Sequence, residues 1–238
     1  MPDTSVFHLY NFLKKKTTVV ISEYAELLTS LHVLHRPDHH PYRVNWAKEL
    51  RGKLPTSLQA RLQEMGELSY EWLALFDVEI GTEPKPSFHN FIAKLNSLPD
   101  AEFLVVLFNQ RFSLEQIIRW MKGMDEAEFN KMLNEREKQA IHRPSWTKRQ
   151  MTEALYEYHE QFFQEEWKTI EPWLVRAERI FYEELELNPI NAIETLHPRI
   201  FVKDDGLYAQ KVTLYRLPYG EIRGIRVRPS TFVYPHLL

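Results

Sequence analysis

Apolar residues in this chain change rhythm several times, and each change predicts a change of structure. Two short β-prone runs come first, at 6–12 and 17–21, with Lys14, Lys15 and Lys16 around their junction. They predict a hairpin or edge pair, with the lysines forming a solvated turn that discourages edge-to-edge association. From Ser22 the period becomes helical. Ser22 is placed to cap, Glu23 and Glu26 lie near the positive end, and Tyr24, Leu27, Leu28, Leu31 and Leu34 make one core-facing stripe. Pro37 and Pro41 bracket the next break. Short helices follow at 44–50, from Pro55 through Leu62 and Met65, and from Ser69 through Trp72, Leu75 and Phe76.

Residues 79–87, EIGTEPKPS, read as a linker between lobes at 1–80 and 87–238 of one domain. Beyond it, Phe88, Phe91, Ile92 and Leu95 mark a helix. Asp100 is placed to cap another that carries Phe103, Val106 and Leu107. Ser113 with Gln116 spells a capping box, Gly123 ends that helix, and Asp125 with Glu128 opens the next. This last pair has the outline of a helix-turn-helix. A recognition helix, however, brings cations and neutral donors to phosphates and bases, and here that end carries Asp125, Glu126 and Glu128. The pair reads as packing. Residues 147–187 are the longest helical stretch, and Pro172 predicts two helices or a sharp kink within it.

After Arg199 the pattern alternates. Asp204-Asp205-Gly206 is a strong hairpin turn, Leu217-Pro218-Tyr219-Gly220 a second turn, and IRGIRVRPSTF a further strand. Strands at both ends with helices between predict an α+β fold: a predominantly helical body with a small antiparallel sheet formed by the N- and C-terminal strands.

Composition narrows the chemistry. The chain has no cysteine, which excludes thiolate catalysis and Cys-based zinc sites and suits a cytoplasmic location. No apolar run reaches the length of a membrane span. Seven glycines are few, and neither GxGxxG nor GxxxxGK[ST] occurs. A net charge of −3 does not advertise nucleic-acid binding by the chain as a whole. There is no GxSxG and no SxxK, and nothing distinguishes a catalytic carboxylate pair among the many acids of 147–187, so the expectation is a non-enzyme without cofactor.

Two groups of residues remain as site candidates. His32, His35, His39 and His40 lie within one turn region and suggest a metal-binding protein or a metal-dependent hydrolase as an alternative. Their spacing matches no motif with a mechanism attached, and capping, hydrogen bonding and exposure account for them better. The second group is aromatic. Tyr24, Trp46, Trp72, Trp120, Tyr158, Phe162, Trp167 and Trp173 come from nearly every helix and would line a pocket for a small hydrophobic ligand. A well-filled core explains the same rings, and is favoured over the pocket. A plain protein-interaction module is the third alternative.

Two stretches together carry a resemblance. Ser22-Glu23-Tyr24-Ala25-Glu26-Leu27-Leu28 with Ser30-Leu31-His32-Val33-Leu34, then His39-His40-Pro41 and Trp46, form the first. The second is Arg228-Pro229-Ser230-Thr231-Phe232-Val233 with Pro235-His236, and Glu165-Glu166-Trp167 through Trp173-Leu174 suits the long helix between them. The chain resembles the N-terminal uncharacterised domain of bacterial ArsR-type transcriptional regulators, which precedes their winged helix. The resemblance implies a regulatory or ligand-sensing region, a homodimeric full-length form, and DNA contact only through a C-terminal winged helix that these 238 residues do not include. It transfers no catalytic or ligand-binding residue.

Overall fold

The first apolar run is a helix and not a strand. The computed structural model describes residues 4–78, 86–210 and 213–232. Its elements divide into two compact units, one within Met1–Ile21 and Thr169–Pro229, the other within Ser22–Lys168 and Ser230–His236. Helix α1 (Thr4–Lys16) ends in Lys14, Lys15 and Lys16, so the lysines form the last turn, where the helix dipole favours cations. Leu13 is fully buried, Phe12 meets Tyr219 edge-on at 5.3 Å, and Lys14 Nζ reaches the Glu186 carboxylate at 2.8 Å. Tertiary packing of this kind outweighs the weak β preference of residues 6–12. No hairpin forms. Strand β1 (Thr17–Val19) instead finds its partner at the far end of the chain.

Helix α2 (Glu23–His35) opens on Ser22, whose Oγ accepts from the Ala25 amide at 3.2 Å. The sequence predicts one apolar stripe; the structure buries every residue from Tyr24 to Leu34. A helix covered on all sides is a core helix, and its polar residues must find partners inside. After a 3₁₀ turn (Pro37–His39) come α3 (Val44–Lys53) and α4 (Thr56–Leu68). The helix expected from Ser69 does not form. Ser69 Oγ bonds back to Met65 O, and Tyr70, Glu71 and Trp72 take the left-handed conformation, at φ 51°, 58° and 73°. Only a 3₁₀ segment, Leu73–Asp77, follows.

The expected linker falls mostly on residues 79–85, outside the described residues; Ser87 is described and caps α5 (Phe88–Ser97). Asp100 is the first residue of α6 (Asp100–Leu107) and not its cap, because its carboxylate is taken by Lys148 and Ser145. The Ser113–Gln116 capping box forms at the start of α7 (Leu114–Met121). Asp125 makes no side-chain cap for α8 (Glu126–Met132); it is left-handed and pairs with Arg119 at 2.6 Å. A further capping box, Asn134 with Glu137, starts α9 (Glu135–His142).

Helix α10 (Pro144–Tyr158) runs into a π-helical turn at His159–Phe163, and α11 (Gln164–Leu187) continues from it. The irregularity predicted at Pro172 is thus found earlier, and α11 passes through Pro172 without a break. Both Pro172 and Lys168, whose carbonyl loses its amide partner, are exposed, so water can take the place of the missing bond.

Helix α12 (Pro189–Glu194) leads to strands β2 (Ile200–Lys203), β3 (Gly206–Gln210) and β4 (Leu214–Pro218), an antiparallel sheet in the order β2-β3-β4. The Asp204-Asp205 turn joins the first two as predicted, with Lys203 opposite Gly206. Gly206 sits at φ 159°, and a Cβ there would stand 2.5 Å from Leu217 O, so only glycine fits. β5 (Ile225–Val227) pairs with β1, Thr17 opposite Ile225 and Val19 opposite Val227. The terminal strands do meet, but in parallel and apart from the antiparallel sheet. With a helix before β1, no tight turn is available to it, and a long crossover gives the parallel pairing. Among the described residues no helix is long and apolar enough to cross a membrane.

Candidate functional site

α2 is buried along its length; Thr29 and Ser30 in its middle bond within the core, and its ionisable groups stand toward its two ends, where chemistry is concentrated. At the start, Glu23 is the first helical residue. Its Oε2 accepts from the Phe88 amide at 2.9 Å, and its Oε1 lies 2.9 Å from His159 Nε2. The other ring nitrogen, Nδ1, is 2.7 Å from Glu160 Oε1. His159 is 2% exposed, and its ring stacks flat on Phe88 at 4.0 Å and 6°. Burial alone would push its pKa down; hydrogen bonds to Glu23 and Glu160, with their charges, outweigh burial and raise it. Glu23 moves the other way. Burial raises it, but the bond to His159 and the Phe88 amide bring it below its ordinary value. His159 is therefore buried between two carboxylates that favour its charged form, on a π-helical turn, a distortion that recurs at functional sites.

One turn further, Glu26 is 2% exposed and accepts from the Thr231 amide and from Thr231 Oγ1, each at 3.0 Å. Burial raises its pKa, against those bonds and the charge of Arg43. Arg43 Nε donates to Thr231 O at 2.9 Å, and its guanidinium lies 4.6 Å above the ring of Phe232. Phe232 is fully buried and meets Trp46 at 4.8 Å. Ser230–Phe232, part of the family-like ending noted above, is a strap clamped by α2 and α3; Val233, Pro235 and His236 lie outside the described residues.

At the end of α2, His32 Nδ1 lies 3.0 Å from Glu71 O, and Arg36 holds the Glu71 carboxylate at 2.7 Å. These contacts grip the left-handed turn at Tyr70–Trp72. His32 and His40 meet edge-on at 5.1 Å, and His39 Nε2 lies 2.6 Å from Arg36. His35 faces Gly66: a Cβ on Gly66 would be 2.8 Å from His35 Nδ1 and 2.7 Å from Trp72 Nε1. Burial lowers the pKa of both His32 and His35. Among the described residues no three His, Asp or Glu side chains gather so that they could hold a metal ion. His32 and His35 bind the end of α2 to the turn at Glu71 and to Gly66, His40 packs on His32, and His39 meets the capping Arg36.

The predicted aromatic set is only partly brought together. Tyr158 and Trp167 flank Phe163, at 6.2 and 6.5 Å, and Tyr158 shares a 2.9 Å hydrogen bond with Ser30. Tyr24 stacks on Phe91 at 5.0 Å. Trp120 belongs to another ring cluster, with Phe112 and Phe129, and Trp72 packs at Gly66. Trp46 packs on Phe232, Phe162 is half-buried, and Trp173 is 63% exposed on α11. Sequence reasoning missed His159 and its two carboxylates. The available signal was a histidine between Tyr158 and Phe163, where the apolar spacing slips by one residue.

The trio limits what His159 can do. With both ring nitrogens on carboxylates, neither is left to accept a proton from a hydroxyl nucleophile. The arrangement holds charge and joins α2, α5 and the π-helical turn. Residues 6–238 match the model of a family described as "Family of unknown function (DUF5937)". No curated protein and no solved structure matches the chain.

Proposed function

We propose, from the premise that this chain belongs to the DUF5937 family, that it is a non-catalytic regulatory domain serving an ArsR-like transcriptional regulator. Its role in this reading is to sense a small apolar ligand in the cytoplasm, and DNA contact falls to a winged helix outside these 238 residues. The observation that carries the reading is His159, buried with both ring nitrogens on carboxylates. Such a group is unsuited to proton transfer but well suited to a two-state element, since changing one contact unsettles three segments. Two further features support it. The pair α7 and α8, the nearest match to a DNA-reading motif, presents Asp125, Glu126 and Glu128 at the end that would meet phosphate. The rings around Phe163 belong to the same region as His159, so a ligand wedged among them would act on the trio directly.

Promoter binding tests the assignment. Residues 1–238 alone are expected to retain no promoter DNA sequence-specifically, whereas a polypeptide in which they adjoin a winged helix is expected to retain it. Specific retention by residues 1–238 alone would overturn the division of labour.

A further inference from the structure

Tyr70–Trp72 is the longest left-handed run among the described residues, three consecutive side-chain-bearing positions at φ 51°, 58° and 73°. Such a run persists only where its surroundings impose it. Here the end of α2 does so. His32 Nδ1 lies 3.0 Å from Glu71 O, a carbonyl that can only accept, so Nδ1 carries a proton. Arg36 holds the Glu71 carboxylate at 2.7 Å. Trp72, at the end of the run, is 1% exposed and closes with His35 over Gly66, which has no side chain to keep them off. The 3₁₀ segment Leu73–Asp77 follows directly.

The charges around this clamp are mostly of one sign. His32 faces His35, His39 and Glu71, and His35 faces Arg36, Arg51 and Glu71. Arg51 comes from α3 and is fixed there by donating to Leu34 O. The 3₁₀ turn supplies His39 and also Asp38, which lies 3.4 Å from both Arg36 and His39. His40, 1% exposed, meets His32 edge-on. From α4 comes the uncharged Gly66, and its neighbour Glu67 is paired with Arg136. Glu71 is the carboxylate that faces both rings, and Arg36 already holds it. A second proton on His32 or His35 therefore adds a buried positive charge beside other cations. Burial lowers the pKa of both rings, so the open turn, with the rings in water, binds protons more tightly than the closed one. Acid then draws the equilibrium toward opening below the ordinary imidazole value of 6.5. Backbone strain in the run pulls the same way.

We propose that this clamp is an acid-released latch: protonation of His32 and His35 frees Tyr70–Trp72 and the 3₁₀ segment behind it, while the other ring clusters stay packed. The latch stands on its own geometry and does not depend on a regulatory role. It responds in the opposite sense to His159, which acid stabilises. Fluorine NMR of the full chain carrying 5-fluorotryptophan reads it, with Trp72→Phe identifying the resonance of Trp72 among the six tryptophans. Between about pH 7.5 and about pH 5 that resonance should move reversibly to its solvent-exposed position, more steeply than a one-proton curve, while that of Trp120, in a separate cluster, holds. His32→Gln with His35→Gln should abolish the transition. Two single variants test the same equilibrium without removing a histidine. Tyr70→Gly, which relieves strain in the closed turn, should lower the midpoint by about 0.3 units. Glu71→Gln, which removes the counter-charge and the bond to Arg36, should raise it. A Trp72 resonance indifferent to pH, one that moves together with Trp120, a midpoint unchanged in the double histidine variant, or shifts of Tyr70→Gly and Glu71→Gln in the same direction would each overturn the proposal.

Discussion

His159 shows how a single residue can carry the pH response of a fold. Its imidazole meets Glu23 on α2 and Glu160 on its own turn, with Phe88 stacked on one face and His89 6.0 Å away on α5. The raised pKa of His159 means that its stabilising share is fully present below the ordinary imidazole value of 6.5 and is lost as pH rises through the folded value. The depressed pKa of Glu23 means the opposite: its share is present above the ordinary 4.5 and is lost as pH falls. Together they stabilise most between those two values. The unfolding midpoint should therefore fall between about pH 6 and about pH 8 in urea titrations. Glu23→Gln should flatten that slope and cost about 3 kcal/mol, because it leaves a buried imidazolium short of one counter-charge. A Glu23→Gln protein with the original slope would mean that another group sets it. At this scale, local chemistry was readable from the sequence: Ser22 and Ser113 cap as their neighbours indicate. His159 was not, since its partner Glu23 lies 136 positions away and nothing local marks the pairing.

Among the elements, helices with a local apolar spacing were readable, α3, α4, α5 and α7, and of these α7 also announced its cap. Those decided by distant packing were not. α1 is rich in residues that suit strands, and its helical state rests on contacts made near residues 186 and 219. α9 was missed despite a local capping signal, Asn134 with Glu137, because few apolar residues follow it to show a period. The left-handed turn at Tyr70–Trp72 had no sequence warning at all, since it contains no glycine and no asparagine. Such a conformation costs L-residues roughly 1–2 kcal/mol each, and is held here by His32 and Arg36 gripping Glu71. Tyr70 is 62% exposed, so its side chain contributes little packing. Tyr70→Gly should thus stabilise by about 0.5–1 kcal/mol in chemical denaturation, the relieved strain exceeding the added chain entropy. Gly66→Ala, by contrast, should destabilise, since a methyl group would press on Trp72 and His35.

For the molecule as a whole, the sequence pattern conveyed the class, helices with small terminal strands, but not the pairing of those strands or the burial of α2 on every side. Neither is a local property. The cover of α2 comes from α3, α4 and the 3₁₀ segment Leu73–Asp77 that follow it and from distant residues such as Tyr158, His159 and Thr231, and Ser230–Phe232 is its last described part. Phe232→Ala should cost about 3 kcal/mol by leaving a cavity against Trp46 and Arg43. Limited proteolysis should show the C-terminal end cut first in that variant; unchanged cleavage would mean that the Glu26–Thr231 bonds alone hold the strap.

The same strap bears on how the chain is made. Thr231 follows Glu26 by 205 positions, and the ribosome adds roughly 5–20 residues per second, so the helix waits about 10–40 s for this contact. Throughout that interval the run from Tyr24 to Leu34, apolar enough to be enclosed on all sides, lacks part of its enclosure. A nascent-chain chaperone that binds exposed apolar segments has its clearest target in this protein there, and its release should coincide with the arrival of Phe232.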